Sequence, residues 1–206
     1  KLFLESGLIE EDGTKKREID AHTIGFQIAP RINAAGRINH ANVAYNLMMA
    51  QNDTDAANLA RELDSNNKER QQMTETLLKD SLTQIEPDQK DSPILFVLGK
   101  GWSTGLVGLI AGRLKEKYYK PSIVMAENDG EITGSGRSID GFNVIECFQE
   151  IPEQFTKFGG HPMACGFTLE DGKLESFKQK LIEKFEEKTK DIDLSPTLDI
   201  DAEINL

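Results

Sequence analysis

Apolar positions recur at helical spacing through about the first ninety residues, then give way to short apolar runs separated by helical stretches. Residues 20–50 read as two helices broken at a loop around Pro30. Ala21 to Ala29 is mostly apolar, and Ala41 to Ala50 carries Val43, Ala44, Leu47 and Met48 at helical spacing. From Asp53 to about Glu86 the pattern predicts one long helix, stopped by Pro87. At 1.5 Å per residue it would reach roughly 50 Å, more than a small domain needs. Its ends have apolar faces, first Ala56, Leu59 and Leu63, then Met73, Leu77 and Leu82. Asp64 to Gln72 between them is polar all round. Such a helix usually bridges two bodies through solvent, so an interdomain strut is expected.

Beyond it the periods alternate. Pro93–Leu98, Ser122–Ala126, Glu131–Arg137 and Ala164–Leu169 read as strands. Gly105–Tyr119, Phe142–Phe148 and Lys173–Lys188 read as helices. Alternation of this kind implies a mostly parallel or mixed sheet with covered faces. The expected fold is therefore α/β: a helical N-terminal segment and long connecting helix, followed by a small mixed-sheet α/β domain. After Pro196, residues 197–204 alternate like a strand that begins a further domain.

The chain of 206 residues suffices for one large or two small domains. No apolar run is long enough to span a membrane. The start, Lys1 to Ser6, reaches an acid too soon for a signal peptide and lacks an initiator methionine, which suggests a piece of a longer polypeptide. Thirty-five acids against 24 bases give a net charge of −11, which argues against sequence-blind binding to duplex DNA through a wholly basic surface. A narrow basic cleft on an acidic body is still compatible, because the local field matters more than the sum. Cys147 and Cys165 are too far apart for a CxxC unit and are expected as buried thiols in a reducing cytosol.

Three small-residue segments carry candidate chemistry. In Phe158-Gly159-Gly160-His161-Pro162, two glycines allow close backbone approach, and the histidine beside them can donate to an anionic oxygen near neutral pH. Gly134-Ser135-Gly136-Arg137-Ser138 follows strand-like residues, so its N–H groups are expected to form an anion nest with Arg137 as a clamp. Pro30-Arg31-Ile32-Asn33-Ala34-Ala35-Gly36-Arg37 frames small residues with two arginines. Taken singly, each also fits a plain turn or helix corner.

A fourth segment, Gly101-Trp102-Ser103-Thr104-Gly105, matches the G-x-S-x-G nucleophile elbow, with Asp140 and His161 downstream in hydrolase order. That fold needs several βα units before the elbow, and the preceding residues look helical. A strand-to-helix turn whose helix N-terminus favours an anion is the better reading. His22 and His40 are isolated from other ligand types, and no metal-binding cluster is legible.

Together, in this order, these segments resemble the RecJ family of single-stranded-DNA-specific exonucleases, members of the DHH phosphoesterase superfamily. The resemblance rests on the Pro30–Arg37 segment, the long helix, Gly101-Trp102 with Gly105 and Gly108, the Gly134–Ser138 segment, and Phe158–Thr168. It implies a two-domain core with the active site in the cleft between a DHH domain and its DHH-associated domain. Residues 1–52 would be the end of the first, 53–90 the connecting helix, 91–192 the second, and 193–206 the start of an oligonucleotide-binding fold. It further implies 5′→3′ degradation of single-stranded DNA in recombination and repair, by a cytoplasmic monomer. Mn²⁺ or Mg²⁺ would be held by residues outside this chain, and a single-stranded-DNA-binding protein and a helicase would be partners. His161 would be catalytic, while Arg31, Asn33, Arg37, Ser135, Gly136, Arg137, Ser138, Gly159 and Gly160 would bind phosphate or substrate. A short-oligonucleotide phosphoesterase and a serine hydrolase using Ser103 are the alternatives.

Overall fold

The computed structural model describes residues 1–16, 18–38, 40–85, 89, 91–197, 200 and 202. The chain divides into two compact units, Lys1–Lys79 and Asp80–Leu206.

The first unit is helical. After α1 (Leu2–Glu5), α2 (Ala21–Thr23) starts at Asp20, whose carboxylate accepts from the Thr23 N–H at 2.7 Å. A π-helical turn, Ile24–Ile28, carries α2 directly into α3 (Ala29–Ile38). The segment expected as a loop around Pro30 is therefore helix. Proline has no N–H to give a preceding turn. The wider turn just ahead of it, in which the Ala29 N–H bonds back to the Ile24 carbonyl, accommodates that lack. α4 (Asn42–Met49) and most of α5 (Asp53–Ile85) complete the unit. Leu2, Leu8, Ile28, Ala35, Ala44, Ala60 and Leu63 form its core.

α5 begins where the pattern places it. The Asn52 carboxamide accepts from the Asp55 N–H at 2.9 Å, and Asp53 and Asp55 put negative charge in the first turn. Pro87, its expected stop, lies outside the described residues. The middle of α5 differs from expectation, because Asp64, Asn67 and Thr74 are buried rather than solvated. Each is satisfied. Asp64 binds Arg31 and Lys68, Asn67 accepts from Arg70 Nη2 at 2.9 Å, and the Thr74 hydroxyl donates to the Arg70 carbonyl at 2.7 Å.

The second unit is built on a five-stranded sheet ordered β1-β2-β3-β5-β4. The strands are β1 (Leu95–Lys100), β2 (Ser122–Asn128), β3 (Glu131–Arg137), β4 (Phe155–His161) and β5 (Ala164–Leu169). Only β1 and β2 are parallel, joined by the crossover helix α6 (Thr104–Tyr118). Asp129-Gly130, both with positive φ, turns β2 into β3 as a tight hairpin. β4 pairs antiparallel with β5 through a Pro162-Met163 turn. The hydrophobic pattern does not reveal β4: a register shift between Phe155 and Lys157 breaks its alternation, and two glycines follow.

One face of the sheet packs on α7 (Val144–Glu150) and α8 (Leu174–Thr189). Phe148 sits among Phe155, Phe158, Phe167 and Phe177, with ring centroids 4.6–6.2 Å away. The other face carries α6 over β2 and β3. Cys147 and Cys165 are free and buried, and burial pushes their thiols up to about 11 and about 12. Among the described residues no helix is long and apolar enough to cross a membrane. Most of the strand expected over 197–204 lies outside the described residues.

Candidate functional site

The register of β3, β5 and β4 brings the second unit's candidate residues into rows. Arg137 pairs with Ala164, and Ala164 with His161. One step along, Gly136 faces Cys165 and Cys165 faces Gly160. The next row is Ser135, Gly166 and Gly159. Side chains alternate along a strand and agree across a row. Arg137, His161, Ser135, Gly166 and Gly159 therefore share the α6 face, and Gly136 and Gly160 the core face. Two strand spacings, about 10 Å, separate the Arg137 and His161 backbones.

Arg137 is fixed by its own strand. Its Nη1 donates to Ser135 Oγ and to the Gly136 carbonyl, both at 2.8 Å, and Ser135 Oγ donates to the Cys165 carbonyl at 2.9 Å. A Cβ on Gly108 of α6 would stand 2.9 Å from Arg137 Nη2, so that glycine makes room for the guanidinium. His161 is exposed at the end of β4, and its imidazole hydrogen-bonds to no described residue. It ends a strand rather than sitting in a loop.

The four glycines do different work. A Cβ at Gly159 would meet nothing within 4 Å, and one at Gly166 only the Gly134 carbonyl at 3.9 Å. Both are exposed, and together they leave a side-chain-free floor beside Arg137. Gly160 has φ 154°, and its Cβ would come 2.3 Å from the Ala164 carbonyl, so the hairpin itself requires glycine there. Gly136 faces the core, 2.7 Å from Cys165 Sγ by the same measure.

Several expected contacts need correction. Gly134–Arg137 is ladder-paired strand on both sides, so its N–H groups form no anion nest. Gly136 and Gly160 serve packing. Ser138 is buried and gives its hydroxyl to the Phe142 carbonyl at 2.6 Å, which makes it part of the turn after β3. Arg31 lies in the first unit, where Nε binds Asp64 at 2.8 Å and Nη1 the Gln27 carbonyl at 2.6 Å. Asn33 is exposed on α3, and Arg37 is half-buried in its last turn. Ser103 follows β1, four strand spacings or about 19 Å across the sheet from β4, so it makes no triad with His161. Gly108 and Gly166 are contact residues that the sequence reading missed. Gly166 carries a signal, since glycine inside a strand often marks close approach by a ligand or another backbone.

Among the described residues no group of three or more His, Cys, Asp or Glu side chains could hold a metal ion. The residues present do not fit one.

Residues 91–187 match the DHHA1 domain family. The chain is 37% identical over 196 residues to the single-stranded-DNA-specific exonuclease RecJ of Bacillus subtilis, covering 94% of this chain and 25% of that protein. It is 34% identical to the RecJ of Salmonella typhimurium, covering 84% of this chain and 32% of that one. The crystal structure of RecJ in complex with Mg²⁺ from Thermus thermophilus superposes with a TM-score of 0.73 at 28% identity, over 80% of this chain and 26% of that one. The chain thus spans between a quarter and a third of these two curated relatives.

Proposed function

Because the chain belongs to the RecJ family and carries a DHHA1 domain, we propose that it supplies the strand-binding side of a single-stranded-DNA exonuclease. The observation that carries this reading is the α6 face of the second unit. There a guanidinium and an imidazole stand in one row on either side of Ala164, and the exposed Gly166 and Gly159 lie in the next row on the same face, their Cβ positions nearly unobstructed.

Arg137, fixed by Ser135, is suited to a phosphate at rest, as a charge-assisted donor to its oxygens. His161, free to turn toward a ligand, is suited to donate to a phosphate oxygen as negative charge develops there during hydrolysis. The glycine floor lets the sugar–phosphate backbone lie close to both. A divalent ion, present in the RecJ structure from Thermus thermophilus, would be held by residues outside this chain.

Arg137→Ala tests the binding half of the reading. Measured by anisotropy with oligo-dT across a salt series, it should lower affinity for single-stranded DNA. The slope of log K against log salt should also shrink by about 0.7, one phosphate contact. An unchanged slope contradicts the assignment.

A further inference from the structure

The α6 face continues past the glycines. Two residues further along each strand, the next row is Thr133, Thr168 and Lys157. Thr133, Lys157, Gly166 and Thr168, with Gly134, Phe158 and Phe167, line an open depression of about 350 Å³, which begins where the glycine floor ends. Lys157 stands exposed at its rim, and its ammonium makes no ion pair or hydrogen bond with any described residue. The lysines of α8 behave differently. Lys178, Lys180, Lys184 and Lys188 are each tied to a carboxylate. In a chain of net charge −11, an unpaired cation beside a depression that meets the glycine floor at Gly166, one same-face row from Arg137 and His161, is suited to an anion.

We propose that Lys157 and this depression form a second phosphate subsite, taking the sugar–phosphate of a neighbouring nucleotide in the same single strand. The proposal rests on the reading of the α6 face as a strand-binding surface. Lys157 and His161 lie four residues apart on β4, about 13 Å along an extended backbone. That is well beyond the roughly 3.4 Å rise of one nucleotide in a stacked strand, so the two side chains address different phosphates. The buried Thr168 hydroxyl is paired with Thr133 Oγ1 at 3.3 Å, which leaves the half-buried Thr133 methyl and the exposed Gly166 to pack against sugar. Glu131, two residues beyond Thr133 on the same strand face, turns the field negative. The row therefore ends the cationic part of the surface.

The test uses full-length protein carrying Lys157→Ala, Lys157→Arg or no change. The readouts are anisotropy with oligo-dT of about 20 nucleotides across a salt series, and turnover of a dinucleotide. The expected result for Lys157→Ala is several-fold weaker binding of the longer oligonucleotide and a salt slope smaller by about 0.7, with dinucleotide turnover unchanged. Lys157→Arg should keep the parental slope. A parental slope in Lys157→Ala overturns the subsite while leaving the strand-binding reading intact. Equal losses on the dinucleotide and the longer oligonucleotide overturn it too, by placing Lys157 at the reacting phosphate. Failure of the unchanged protein to bind single-stranded DNA overturns both.

Discussion

Gly159 and Gly160 are neighbours with opposite reasons to be glycine. The space above Gly159 is empty, whereas a Cβ on Gly160 would run into the backbone of β5. Gly159→Ala should therefore keep the thermal midpoint or raise it slightly, since glycine within a strand costs roughly 0.5–1 kcal/mol. It should nonetheless weaken oligo-dT binding. Gly160→Ala should lower stability by at least about 2 kcal/mol before any question of DNA arises. A pair that shifted both readouts together would contradict the division of roles. Asp64 makes a second test. Burial alone would raise its carboxyl, but hydrogen bonds from Lys68 and Arg31 outweigh burial and hold it below the ordinary 3.8. A depressed folded value means the stabilisation is complete above about 3.8 and is lost as pH falls through the lower value. Asp64→Asn should flatten the acid limb of urea midpoints taken across mildly to strongly acidic pH. Retention of the parental limb would show that the pair does not stabilise the fold.

β1 is an edge strand, and its open side is closed by side chains rather than by another strand. Gln89 exchanges two hydrogen bonds with Phe96, at 2.7 and 2.8 Å, and Gln84 two with Leu98, at 3.1 and 3.2 Å. Two carboxamides thus stand in for a neighbouring strand and blunt a pairing edge. Gln84→Ala with Gln89→Ala should expose those groups. The double variant should associate with rising concentration in light scattering while the parent does not. Most elements are legible in the sequence because their apolar periods are clean: α5, α6, α8, β2, β3 and β5 fall within a few residues of expectation. β4 is not, because the shift at Phe155–Lys157 places core phenylalanines three apart, and glycines carry no period. The Pro30 segment misleads because proline usually ends a helix, and the π turn that accommodates it leaves no mark in composition. For the candidate site, residue type nominates Arg137 and His161. It cannot say that Ser138 and Gly136 face inward, since that depends on which strand each row meets.

Taken as a whole, a protein with a net charge of −11 keeps Arg137, His161 and Lys157 together on one face of one sheet. On the proposed reading, that basic grouping would draw a polyanion to this face of an otherwise acidic protein. On the same reading, His161 would act on the reacting phosphate while Arg137 would hold the strand. That division is tested by steady-state degradation of labelled single-stranded DNA by full-length protein carrying His161→Ala. Both kcat and kcat/KM should fall together, by at least about a hundredfold, with binding of oligo-dT nearly unchanged. If affinity fell and kcat held, His161 would be one more strand contact, and the chemistry would belong wholly to other residues.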